Sequence, residues 1–158
     1  MRYILLLCIL MTSWGLTAQD MDNDQLGDIL VELSDSIAGQ SGAWQLMIEE
    51  TFMLCFTDEA NNRMRIISPI AEMNDITDDQ VGAAMEANFH SALDVRYAIS
   101  DGIMWSAFIH PLRELSPAQA VDAVIQVYSA AVTFGDTYAS TNLSFPKATS
   151  TEENKRYE

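Results

Sequence analysis

Residues 95–99 alternate apolar with polar or small side chains, residues 103–109 resume an apolar period of two beyond Asp101-Gly102, and this motif constrains the fold more than any other. Val95, Tyr97 and Ile99 keep a period of two, as do Ile103, Trp105, Ala107 and Ile109, which is the period of a strand with one buried face. An Asp-Gly pair accepts the positive backbone angles of a type I′ turn, so the two runs fold back on each other as an antiparallel hairpin. Two strands alone are marginal in water. The chain must extend this hairpin into a larger sheet and cover one face of it.

Three more runs share the strand period. Trp44, Leu46 and Ile48 alternate with Gln45, Met47 and Glu49, and Phe52, Leu54 and Phe56 alternate with Met53, Cys55 and Thr57. After the turn-forming Asp58-Glu59-Ala60-Asn61-Asn62, Met64 and Ile66 alternate with Arg63 and Arg65 until Pro69 weakens the pattern. Other segments follow helical spacing. Leu26, Ile29, Leu30, Leu33 and Ile37 form one stripe over residues 22–37, with Gly39 as its stop. Thr77-Asp78-Asp79-Gln80 is a capping box ahead of Val81, Met85, Phe89, Ala92 and Leu93, near which a second helix ends. Ser116 as cap and Pro117 in the first turn open a third helix, whose wide apolar face runs from Ala120 and Val124 to Tyr128 and Val132.

The order α-β-β-β-α-β-β-α predicts an α+β fold: a mostly antiparallel five-stranded sheet with helices packed on one face. That order and the spacing of its segments, most recognisably Asp101-Gly102-Ile103 and Ser116-Pro117, resemble the type III secretion chaperone-like fold, including the YbjN-type domains, over residues 22–139. In the secretion chaperones the resemblance implies a homodimer that holds a segment of a secreted client in extended form. For the YbjN-type relatives it implies a regulatory or binding role.

The first residues add a compartment. Arg2, an apolar run over residues 3–11 and small residues ending at Thr17-Ala18 are the plan of a secretory signal peptide cleaved after Ala18. The run is too short to span a bilayer, so no transmembrane span is expected after cleavage, and the domain is expected in a bacterial periplasm or secreted. Residues 19–139 then form a single domain and residues 140–158, rich in Ser, Thr, Lys and Glu, a flexible tail. Cleavage removes one base and no acid, taking the net charge from −15 to −16, which sets nucleic acid and anionic membranes aside as partners. Cys8 leaves with the signal. Cys55 is then alone and no internal disulfide can form.

No catalytic constellation emerges. Asp20-Met21-Asp22-Asn23-Asp24 begins like a calcium loop, yet Gln25 holds the sixth position and Val31 the twelfth, where glycine and a bidentate glutamate belong, so a helix start is the better reading. His90 and His110 lack metal-site spacing, and Cys55 lies in an apolar strand without a nucleophile motif. Asp78-Asp79 and Glu49-Glu50 read as a helix N-terminus and a strand edge. The expected site is instead the second face of the sheet, taken from alternate strand residues: Met47, Met53, Arg63, Arg65, Arg96, Met104 and Phe108. It gathers three of the seven basic residues that remain after cleavage beside flexible methionines, which suits an adaptable contact with a protein or peptide. The reading is therefore a non-enzymatic binding domain that uses no cofactor. The alternative is a small-ligand sensor or enzyme with a pocket between helices and sheet, where one of these arginines meets an anion.

Overall fold

The Asp22 carboxylate accepts the amide of Gln25, which starts helix α1 at once over Asn23–Leu33. This helix and all that follows belong to a computed structural model that describes residues 20–143. Leu26 and Leu30 are fully buried, and Ser34 closes the helix by donating both its amide and its hydroxyl to the Leu30 carbonyl. The stripe expected to reach Ile37 stops there. Ser36–Gln40 forms strand β1, with Ile37 opposite Leu46 of β2 (Ala43–Ile48), so Ile37 meets the same core from a strand and its spacing only imitates a helix. Gly39, expected as the helix stop, lies inside β1 at φ 106°, where a side chain would collide with the Ala43 carbonyl.

The remaining elements are β3 (Thr51–Asp58), β4 (Arg63–Glu72), α2 (Asp78–His90), β5 (Arg96–Ser100), β6 (Ile103–His110) and α3 (Pro117–Val132). Among the described residues the sheet has six strands in the order β1-β2-β3-β4-β6-β5, and each neighbouring pair is antiparallel. That is one strand more than expected. β1 escapes a pattern search because Ser-Ile-Ala-Gly-Gln has one apolar side chain of any size and four of its five residues are exposed. The α+β class stands. Pro69 does not end β4: the pairing with β3 stops at Ile67, and a register shift against β6 between Pro69 and Ala71 accommodates the proline.

Helix α3 lies across β3, β4 and β6, and α1 packs on α3 and β1. Both cover one face. Between them and the sheet lie Trp44, Leu46, Met53, Cys55, Met64, Ile66, Tyr97 and Met104, each at most 7% exposed. Buried hydroxyls tie α3 down, with Tyr97 donating to the Ala130 carbonyl at 2.8 Å and Ser106 to the Val127 carbonyl at 2.9 Å. Both later helices open on full capping boxes, Thr77 with Gln80 and Ser116 with Gln119. Helix α2 runs beside β5, where the Asn88 amide bonds the Tyr97 carbonyl and amide as a neighbouring strand would, which closes that edge.

Three of the expected site residues belong to this core. Met53 and Met104 have no exposed surface and Phe108 has 6%, because hairpin register overrides the apolar pattern in β3 and β6. Glu49 and Glu50, at φ 45° and 68°, form a two-residue turn that pairs Ile48 with Thr51 and so places Met53 opposite buried Leu46. They are a turn, not a strand edge. Asp101-Gly102 does the same for β5 and β6, pairing Tyr97 with Ser106 and Ile99 with Met104. The packed chain also continues past residue 139: Ser140 is 1% exposed, and its hydroxyl donates to the Ala92 carbonyl at 2.8 Å. The expected signal peptide and the rest of the expected tail lie outside the described residues.

Candidate interaction face

The face of the sheet turned away from α1 and α3 is built from the residues that the two hairpins push outward. β3 contributes Phe52, Leu54 and Phe56, β4 contributes Arg63, Arg65 and Ile67, and β6 contributes Trp105, Ala107 and Ile109. The register aligns them in rows, Phe56–Arg65–Ile109 and Leu54–Ile67–Ala107, with Met47 beyond Phe52 and Arg96 beyond Ala107. Phe52 is 38% exposed, Phe56 39% and Ile109 63%. No helix among the described residues packs on this face. A depression of about 520 Å³ opens around Phe56, Arg63, Arg65, Ile67 and Ile109, and a second of about 230 Å³ lies between β1, Met47 and Phe52.

Of the expected site residues, Met47, Arg63, Arg65 and Arg96 therefore share this open side, and Met53, Met104 and Phe108 do not. The arginines differ in what they touch. Arg63 donates to the Asn62 carbonyl at 3.0 Å, and Arg96 folds back on the carbonyls of Leu93 and Val95. The Arg65 side chain is exposed and makes no hydrogen bond or ion pair among the described residues. Across from Arg63, the Asp58 carboxyl is held below the usual carboxylate range by the side chain and amide of Asn61, so it stays charged beside that arginine. Sequence pattern alone missed Phe52, Leu54, Phe56, Trp105 and Ile109. The signal that finds them is the length of each hairpin loop.

The outer side of β1 is a further open element. No described strand pairs beyond it, and it carries neither charge nor proline, the usual defences of an edge. Where β6 meets α3, a cleft of about 250 Å³ opens at the border of the two sheet faces, lined by Asp94, Arg96, Phe108, His110, Asp122 and Gln126 among others, so Arg96, on the open side by its register, also lines this cleft. It is the place closest to the expected helix-sheet pocket with a basic side chain, but it also carries two carboxylates.

The other sequence candidates are packed into the structure, and of the buried side-chain polar atoms among the described residues His90 Nδ1 alone lacks a hydrogen-bond partner. Asp22 caps α1, and Asn23 accepts the Thr57 hydroxyl at 2.5 Å. Cys55 is fully buried, and burial pushes its thiol up to about 12, far from a nucleophile's range. The His110 ring stacks on Phe108, and His90 ends α2 with its ring against Phe89.

This fold resembles that of solved type III secretion chaperones. The Yersinia pestis chaperone SycH, solved in complex with a stable fragment of YscM2, matches with a TM-score of 0.55 and 14% identity over 72% of this chain and 98% of its own. A chain of the HopA1–SchA chaperone-effector complex matches at 0.55 and 14% identity, covering 70% and 90%. A chain of the ExsC–ExsE complex gives 0.52 and 10%, covering 70% and 92%. No protein-family model and no curated protein sequence matches the chain.

Proposed function

We propose that this protein is an exported, non-enzymatic binding domain that acts as a homodimer and holds a segment of another protein against its helix-free sheet face. The observation that carries the proposal is the set of exposed apolar side chains on one sheet face, Phe52, Phe56 and Ile109, flanking the row Leu54–Ile67–Ala107, with Arg65 set among them. Contiguous apolar surface of this kind marks an interaction site more often than an idle surface. The undefended outer edge of β1 offers backbone groups to the same segment, since an extended peptide can add to a sheet as a further strand. The similar solved structures support a protein as the ligand, because each was determined with a protein partner: SycH with a YscM2 fragment, SchA with HopA1, ExsC with ExsE. Export rests on residues 1–18, and the binding role of YbjN-type domains falls within the same reading.

The homodimer has its own support. Phe89 is 81% exposed on α2, with Met85 one turn earlier and Ile99 on the adjoining strand also in solvent. The experiment for the binding role is a photo-crosslinking residue placed in the native cell at Phe56 and, separately, at Ile125 on the exposed back of α3. Discrete adducts to a different protein are expected at position 56 and not at 125. If position 56 gives none, the open face is not the binding surface.

A further inference from the structure

We infer that the segment held on this face presents an acidic side chain between apolar ones, placed over Arg65; the inference rests on the open sheet face being the binding surface. The basic residues between positions 20 and 143 are Arg63, Arg65, Arg96 and Arg113. Three of them donate to backbone carbonyls: Arg63 to Asn62, Arg96 to Leu93 and Val95, and Arg113 to Glu59 at 2.8 Å. Arg65 stands apart. It sits directly between Phe56 and Ile109, the two most exposed residues of the apolar row on its strand's neighbours, and it has no partner among the described residues.

That position makes Arg65 a selector. A segment laid on Phe56 and Ile109 must also cover Arg65 and strip water from a guanidinium with five donors, which is costly unless the segment supplies acceptors. A carboxylate fits best, since it takes two parallel hydrogen bonds from the guanidinium fork. A lysine there would meet like charge, and a purely apolar segment would leave the donors unpaired. Selection of an acid here runs against the net charge of −15, so it must be local, within the short screening distance of about 8 Å at physiological ionic strength. Asp58 lies opposite Arg63 rather than Arg65, which leaves Arg65 as the uncompensated positive charge in the row.

The test uses the full-length protein and three labelled ten-residue peptides read by fluorescence anisotropy. All alternate threonine with leucine or phenylalanine, and one central position carries glutamate, glutamine or lysine. The glutamate peptide is expected to bind about fivefold tighter than the glutamine peptide, near the upper end for an exposed ion pair, and the lysine peptide weakest. Arg65→Gln is expected to remove the difference between glutamate and glutamine, and added salt to narrow that difference in the unsubstituted protein. Equal binding of the three peptides, or a preference for lysine, overturns the acidic selector and leaves the binding face intact. If no peptide binds, or if Phe56→Asp leaves every affinity unchanged, both readings fall. If Phe56→Asp instead halves the solution mass, the face belongs to a second copy of the chain and the inference is overturned.

Discussion

Cys55 and Tyr97 show how far one side chain's position decides its chemistry. Both are raised by burial, Cys55 from 9.0 to about 12 and Tyr97 from 10.0 to about 12. A folded-state value above the unfolded one means that the unfolded chain loses its proton first, so the stabilising effect is complete below the unfolded value and drains away as pH rises toward the folded one. Stability is therefore expected to fall from about pH 9 upward through Cys55 and from about pH 10 through Tyr97, at no more than about 1.4 kcal/mol per pH unit for each group. Urea midpoints measured from pH 7 to 11 check this, and Cys55→Ala should flatten the lower part of the decline. The same burial predicts that Cys55 resists iodoacetamide at pH 8 until denaturant is added, read by mass spectrometry of its peptide. The sequence showed Cys55 in a strand without a nucleophile motif. It did not show which face, because Leu54 and Phe56 are as apolar as their neighbours Met53 and Cys55.

At the scale of elements, the hairpin loops carry information that the apolar pattern contradicts. A two-residue loop makes the residues on either side of it partners, so Asp101-Gly102 already implied Ile99 opposite Met104 and Tyr97 opposite Ser106. Read that way, Met104, Ser106 and Phe108 face inward with Tyr97, although Ile103, Trp105 and Ile109 are the more hydrophobic set. Glu49-Glu50 gave no such warning, since neither residue favours positive φ. Its cost should be measurable: Glu50→Gly relieves one left-handed residue and is expected to raise stability by about 1 kcal/mol, seen as a higher urea midpoint with unchanged slope. Glu49 is left in place because its carboxylate accepts the Tyr128 hydroxyl at 2.5 Å, joining this turn to α3. The helices were legible wherever capping chemistry spoke, at Thr77 and Ser116, and misread where a stripe ran on into β1.

For the whole molecule, the exposed apolar side chains of α2 and those of the helix-free sheet face lie on different elements, and this separates self-association from partner binding. Phe89 and Met85 project from α2, which runs beside the β5 end of the sheet, whereas Phe56 and Ile109 lie on β3 and β6 on the helix-free face. A dimer formed through α2 leaves the open face free for a segment of another protein. A dimer formed through the open face would occupy it. Phe89 is 81% exposed, so its substitution is expected to change stability by no more than about 0.5 kcal/mol, whereas Met85 at 48% and Phe56 at 39% give up partly buried surface and are expected to cost about 1 kcal/mol each. Light scattering of the full-length protein is expected to give twice the chain mass, Phe89→Glu with Met85→Glu to give the single mass, and Phe56→Asp to leave the double mass unchanged. Thermal unfolding at low protein concentration checks that each variant is folded. A double mass that survives both α2 substitutions moves the dimer contact elsewhere, and a monomer in every case removes the homodimer while leaving the open face to be judged by the peptides.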